Sequence, residues 1–230
     1  MGLKMCDSWF EAFFFDFDGV LADSVEVKTK AFARLYEPYG TEVVGKVVMH
    51  HRQNGGMTRT EKFKHYHNVF LKQSLKDVDL KDLSEQFSCL VVDEVVMAKE
   101  IPGAQAFLSK WTEIVACFVV SATPEDELKE IIKRRCISPF FKEIMGAPCS
   151  KKENISKALS QYNFNPTKCL FFGDAVNDYT AALHCKIPFV GLVPYQESPL
   201  LDKYPSIFWK RDFYEIEEWL ASSFNYSQPR

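Results

Sequence analysis

Several groups able to do chemistry fall at the ends of apolar runs in this sequence. Asp16 and Asp18 follow Phe13-Phe14-Phe15, Ser121 follows Val119-Val120, Lys151 and Lys152 come soon after the run 143–147, and Asp174 and Asp178 follow the run 169–172. Asp16 emerges directly from the apolar run, where a carboxylate acts as a nucleophile toward phosphate only if a metal neutralises the incoming charge. Asp18 projects to the same side of an extended chain, so it is placed to exchange a proton with attacking and leaving oxygens. Gly19 then lets the backbone turn. Carboxylates gathered from several strands repel one another unless a cation or a phosphate joins them.

The elements that would position these groups are short apolar runs at 12–17, 114–120, 143–147, 169–172 and 188–193, read as strands. Helical patterns lie between them at 104–111, 125–135, 151–162 and 179–184, with a sixth strand at 206–210 and a last helix at 213–222. Such alternation implies a mostly parallel sheet covered on both faces. In an open sheet of that kind the ligand crevice lies beyond the carboxyl ends of the strands, where the residues above fall.

The alternation is interrupted between Ser24 and Glu100, where amphipathic stretches at 27–36, 60–71 and 80–97 replace buried strands. Val91, Val95 and Ala98 in the last of these follow helical rather than strand spacing. The division implied is an α/β core formed by residues 1–24 and 100–230, with a helical domain at 25–99 inserted after the first strand. Ile101-Pro102-Gly103 marks the return to the sheet.

Composition narrows the partners. A net charge of −3 provides no field for a polyanion, so nucleic acid is not an expected partner. With 47% hydrophobic residues and 20 Phe, the chain has ample material for packed cores. No run approaches the roughly 20 apolar residues of a membrane span, so no membrane association is expected. Met1-Gly2 faintly matches a myristoylation start, but Cys6 stands where that motif wants Ser or Thr. The 7 cysteines form no Cys-x-x-Cys pair, which suggests neither disulfides nor zinc and fits a cytoplasmic protein. Cys117 and Cys169 read as small buried hydrophobes. The sequence specifies no oligomeric state.

The segment Asp16-Phe17-Asp18-Gly19-Val20-Leu21-Ala22-Asp23-Ser24 resembles the first motif, D-x-D-G-V/T-L-x-D-S, of the haloacid dehalogenase-like hydrolase superfamily. Three later segments resemble its remaining motifs in order. Ser121, followed by Ala122, matches the hydroxyl that binds the transferring phosphoryl group. Lys151, preferred over Lys152 from the Lys-x-Glu-Asn-Ile register, matches the motif lysine. Asp174 and Asp178 match the acidic pair that holds magnesium. The resemblance implies a Rossmann-like core of flavodoxin-like strand order, a Mg²⁺ ligand set of Asp16, the Asp18 carbonyl and Asp174, and a supporting or ligating role for Asp178.

Two helix starts bear on these assignments. Ser150-Lys151-Lys152-Glu153 has a capping-box pattern, and cations at that end oppose the helix dipole unless one reaches an anion. Thr123-Pro124-Glu125 offers a cap with proline at the first helical position, which leaves Ser121 available to a ligand.

The inserted helical block resembles the small cap of the phosphoglycolate phosphatase and β-phosphoglucomutase-like branch, which closes over the site. Gly55-Gly56-Met57-Thr58-Arg59-Thr60-Glu61 resembles its substrate-contacting loop, with Thr58 a helix cap and Gly56 and Arg59 the specificity candidates. The function this implies is Mg²⁺-dependent hydrolysis of a small phosphorylated metabolite through an aspartyl-phosphate intermediate. A phosphomutase shares all four motifs, and a non-catalytic binding protein could share the fold. His50, His51, His65 and His67 have no partner motif and read as packing or solvated residues.

Overall fold

The computed structural model describes residues 10–194 and 198–223. Met1, Gly2 and Cys6 therefore lie outside the described residues. Among the described residues six parallel strands form one sheet: β1 (Ala12–Phe15), β2 (Ala116–Pro124), β3 (Glu143–Ala147), β4 (Cys169–Gly173), β5 (Phe189–Leu192) and β6 (Trp209–Lys210). β1 is central, paired with β2 on one side and β4 on the other.

Alternation along β1 explains its place. Phe13 and Phe15 enter one layer, against Phe107, Phe172 and Phe213, while Phe14 enters the other and stacks on Phe118 at 5.1 Å. A strand apolar on both faces is stable only between two helical layers. Each of these buried rings contributes about 1.5–3 kcal/mol by leaving water.

The sheet order is β3-β2-β1-β4-β5-β6, which corrects the flavodoxin-like order expected from the sequence. A flavodoxin-like sheet has one strand beyond β1 on its first side, whereas here β2 and β3 both lie there. The crossover through helix α6 (Glu125–Arg134) extends the sheet outward, with Phe118 opposite Glu143, before the chain returns to the far side of β1. Strand and helix alternation dictates parallel direction but not where the chain reverses.

Between β1 and β2 the chain forms helices α1 (Val25–Tyr36), α2 (Thr41–Gln53), α3 (Arg59–His65) and α4 (Asp77–Met97), then α5 (Ala104–Trp111). Phe32 organises the block, lying 4.4 Å from Phe87 and 5.5 Å from Phe63 by ring centroids. Val91 and Val95 are buried on one face of α4, as helical spacing requires. The expected stretch 60–71 is not one α-helix, because α3 passes into a π-helical segment at Tyr66–Leu71. α2 is not among the helices singled out from the sequence, since its valines and Gly45 weaken its helical pattern.

Helices α7 (Lys151–Tyr162), α8 (Val176–Cys185), α9 (Pro199–Lys203) and α10 (Phe213–Ser223) complete the layers. Among the described residues, no helix is long and apolar enough to cross a membrane. Cys117 and Cys169 are buried, and burial pushes each thiol up to about 12.

Candidate active site

The first strand ends on Asp16, whose N–H continues the ladder to the Phe172 carbonyl at 2.9 Å. Its side chain is buried, with Oδ1 accepting from the Phe17 N–H at 2.7 Å and Oδ2 facing Lys151 Nζ at 2.7 Å. The loop then turns at Gly19, where φ is +79°. A Cβ at this glycine would lie 2.3 Å from Asp174 Oδ2, so only glycine lets the acidic group after β4 approach the loop this closely.

Asp18 points to a different set of partners. Ser24 Oγ donates to its Oδ1 at 2.6 Å, and Thr123 Oγ1 and Lys28 Nζ donate to its Oδ2. Burial raises its proton affinity, but Lys28 and the Ser24 hydrogen bond outweigh that and hold the group below the ordinary carboxylate range. Thr123 is not the cap of α6, contrary to the expectation from sequence. β2 runs through to Pro124, and the Thr123 hydroxyl instead accepts from Lys28 Nζ at 2.8 Å. Ser121 Oγ accepts from the Thr123 N–H at 3.2 Å and is buried beside the cavity, with Ala122 also in the wall.

α7 begins with the expected capping box, Ser150 Oγ accepting from the Glu153 N–H and Glu153 accepting from the Ser150 N–H. Lys151, its first residue, is buried and also faces Asp178 Oδ1 at 2.5 Å, whereas Lys152 is exposed. Burial opposes the Lys151 charge, yet Asp16 and Asp178 hold the amine well above the usual lysine range. Asp178 caps α8 by accepting from the Ala175 N–H at 3.0 Å, so one side chain fixes both a helix start and the lysine.

One oxygen from each of Asp16, Asp174 and Asp178 lies within 4.8 Å of the others. With Asp18, four carboxylates face two ammonium groups, Lys28 and Lys151. The imbalance is visible in protonation. Burial, reinforced by Asp178 and Asp18, pushes Asp16 up to about 7, and burial with Asp16 and Asp178 raises Asp174 well above its ordinary value. Clustered hard oxygens short of positive charge suit a divalent cation.

A consequence for stability follows. A carboxylate whose folded pKa exceeds its unfolded one costs stability above that pKa and little at acid pH. Asp174→Asn is therefore expected to stabilise the metal-free protein by on the order of 1–2 kcal/mol at pH 8 and by far less at pH 5. Denaturant melts at both pH values in a chelator check this, and a variant destabilised at pH 8 contradicts it.

The site floors a cavity of about 590 Å³ whose opposite wall comes from the helical block. The loop before α3 presses on the core: Gly56 has φ +76°, and a Cβ there would lie 3.0 Å from Asn177 Cβ. Thr58 and Glu61 form the expected capping box for α3. Arg59 lines the cavity, and in this structure its guanidinium is already engaged. Its guanidinium pairs with Glu127 of α6, donates to Ser88 Oγ at 2.7 Å, and lies 4.6 Å from the centre of the Phe87 ring. The expectation of a specificity role overlooked this partner, 68 residues away in sequence.

A family model for haloacid dehalogenase-like hydrolases matches residues 10–185. The chain belongs to this family. Solved structures similar to the hydrolase include a protein from Haemophilus somnus described as a predicted phosphoglycolate phosphatase, with TM-score 0.71 and 19% identity over 93% of this chain and 99% of that one. Another, from Bacteroides vulgatus and assigned as a β-phosphoglucomutase, has TM-score 0.74 and 19% identity over 93% and 89% of the two chains. A third, from Bacillus subtilis and assigned to the same hydrolases, is described as bound to magnesium; it has TM-score 0.67 and 17% identity over 92% and 98%. No curated protein matches the hydrolase by sequence.

Lys28, Thr123, His51 and Lys62 are among the cavity residues to which sequence reasoning assigned no place in the site. Lys28 carried a usable signal. Like Lys151 it is a cation near the first turn of a helix, where the dipole disfavours it without an anion to reach.

Proposed function

We propose that this hydrolase is a Mg²⁺-dependent phosphatase acting on a small phosphorylated metabolite, with residues 25–99 as a cap over a core of 1–24 and 100–230. The observation that carries the reading is the buried Asp16 carboxylate, paired with Lys151 and adjoining both the acidic cluster and the cavity. Asp16, Asp174 and the Asp18 carbonyl would hold the metal, with Asp178 orienting Lys151 beside them. When bound, magnesium supplies charge neutralisation for the phosphate and the carboxylates.

In the first step an Asp16 oxygen forms a bond to phosphorus while the bond to the ester oxygen breaks, and Asp18 protonates the departing alcohol. In the second, Asp18 takes a proton from water as the water oxygen attacks phosphorus and releases Asp16. Lys151 and the Ser121 hydroxyl, with the Ala122 backbone, stabilise charge on the transferring oxygens. Lys28 and Ser24 hold Asp18 as the carboxylate required in the second step, so the first step needs Lys28 to withdraw from Oδ2. A withdrawal of this kind fits a cap that opens to admit substrate and closes to exclude water.

A panel of phosphate monoesters assayed for phosphate release with and without magnesium tests the reading. The expected result is release that needs magnesium and ceases with a chelator. A panel wholly inert with magnesium present removes the proposal. A phosphomutase, which the shared motifs also allow, would isomerise a sugar phosphate without releasing phosphate.

A further inference from the structure

Among the described residues five cations line the cavity: Lys28, Arg52, Arg59, Lys62 and Lys151. Four have carboxylate partners, namely Asp18, Glu26, Glu127, and for Lys151 both Asp16 and Asp178. Among the described residues Lys62 has none within ion-pair distance, although it is 3% exposed. Its amine contacts His51 Nδ1 at 2.9 Å and lies 5.5 Å from the centre of the Phe32 ring.

An ammonium carries three donors, and a buried one without a counter-ion is costly to fold around. Here burial, with Lys28 adding repulsion, lowers the Lys62 amine to about 7, while Asp18, Asp174 and Glu61 act from farther off in the opposite direction. His51 is held down to about 3 by burial and by the two lysines, so its ring is neutral. A lysine ammonium can only donate, so His51 Nδ1 is the acceptor of this contact. The neutral ring can therefore position the amine without neutralising it. Arg59, the cation expected to fill this role, is already bound to Glu127.

We propose that Lys62, positioned by His51, is the specificity-determining residue of the cap and takes a second anionic group of the substrate, a carboxylate or a second phosphate, from the cap wall of the cavity. This rests on the phosphatase reading for the identity of the first group, but the binding of two linked anions does not require turnover. The substrate class is then a phosphate ester carrying another negative charge, as opposed to a neutral alcohol's ester.

The test compares wild type, Lys62→Met and Lys62→Arg in two ways. Hydrolysis is followed for 2-phosphoglycolate and 3-phosphoglycerate, which carry a carboxylate, for fructose 1,6-bisphosphate, and for ethyl phosphate and glycerol 3-phosphate, which carry no second anion. Binding of phosphonoacetate and methylphosphonate is measured by calorimetry with magnesium. The wild type is expected to favour at least one class of doubly anionic ester over the neutral ones by at least about tenfold in kcat/KM, chiefly through KM. Lys62→Met should reduce that ratio to near one, and Lys62→Arg should restore part of it. The preferred class shows whether the second anion is a carboxylate or a phosphate.

Phosphonoacetate should bind wild type at least about tenfold more tightly than methylphosphonate, an advantage lost in Lys62→Met. If no ester turns over but this binding difference holds, the phosphatase reading fails and the subsite stands. If esters turn over without preference, or Lys62→Met weakens every ligand by the same factor, the subsite is overturned while the phosphatase reading survives.

Discussion

Asp16→Asn is expected to lower phosphate release by about 10⁴-fold or more, the scale on which loss of a covalent nucleophile is felt. The substitution preserves shape. The amide oxygen can still accept the Phe17 N–H that now reaches Oδ1 at 2.7 Å. What it removes is the oxygen proposed as nucleophile, which faces Lys151, and it sets an NH₂ donor against an ammonium donor. Circular dichroism and a thermal melt should therefore show a folded protein while turnover vanishes. Asp18→Asn separates the two roles, because a proton donor and acceptor contributes about 10²–10⁴-fold and no covalent bond. Its defect should shrink in the first step when p-nitrophenyl phosphate is the substrate, since a nitrophenolate leaves without a proton. Water attack would then limit the rate, and phosphate should stay bound to Asp16 long enough to be trapped. An Asp16→Asn protein that keeps wild-type activity eliminates the nucleophile, and an equal Asp18→Asn defect in formation of the phosphoenzyme from alkyl and nitrophenyl esters eliminates the acid.

What could be read in the sequence follows from what is local. Asp16, Ser121 and Asp174 stand next to apolar runs, so the alternation of strands with helices was enough to place them at the same sheet edge. Lys151 and Lys152 shared an electrostatic conflict with their helix and the motif register preferred Lys151; the structure buries Lys151 between Asp16 and Asp178 while leaving Lys152 exposed. The residues that escaped notice depend on contacts between distant elements. Thr123 looked like a helix cap because its neighbours are Pro124 and Glu125, yet Lys28, 95 residues away, turns its hydroxyl to the site. Arg59 looked available because nothing near it is acidic except Glu61, and its partner is Glu127 on a helix of the core. Lys62 and His51 become meaningful only after α2 and α3 are packed together. Strand order was hidden for a related reason, since each crossover reads alike whether the next strand is laid outward or back across β1.

Lys151→Met is the substitution with the largest expected effect on stability. The amine is the shared partner of Asp16 and Asp178, at 2.7 and 2.5 Å, and all three side chains are buried. Removing one member of a buried ionic group leaves the others uncompensated, which costs about 3–5 kcal/mol. Methionine fills the volume, so the loss reports charge more than packing. Its pH dependence follows from the protonation of Asp16. Even with Lys151 drawing it down, that group is pushed up to about 7 against an ordinary value of 3.8, and without the lysine it rises further. A raised folded pKa means that the native state takes up protons the unfolded chain does not, so stability is gained as pH falls from above the folded value toward the unfolded one. Protonated Asp16 carries no charge for the missing amine to offset. The variant's deficit should thus be several kcal/mol at pH 8 and clearly smaller at pH 5, measured by denaturant melts in EDTA against wild type. The same deficit at both pH values would mean that the lysine stabilises the fold through packing and hydrogen bonds to neutral partners, which is incompatible with a carboxylate cluster held together by charge.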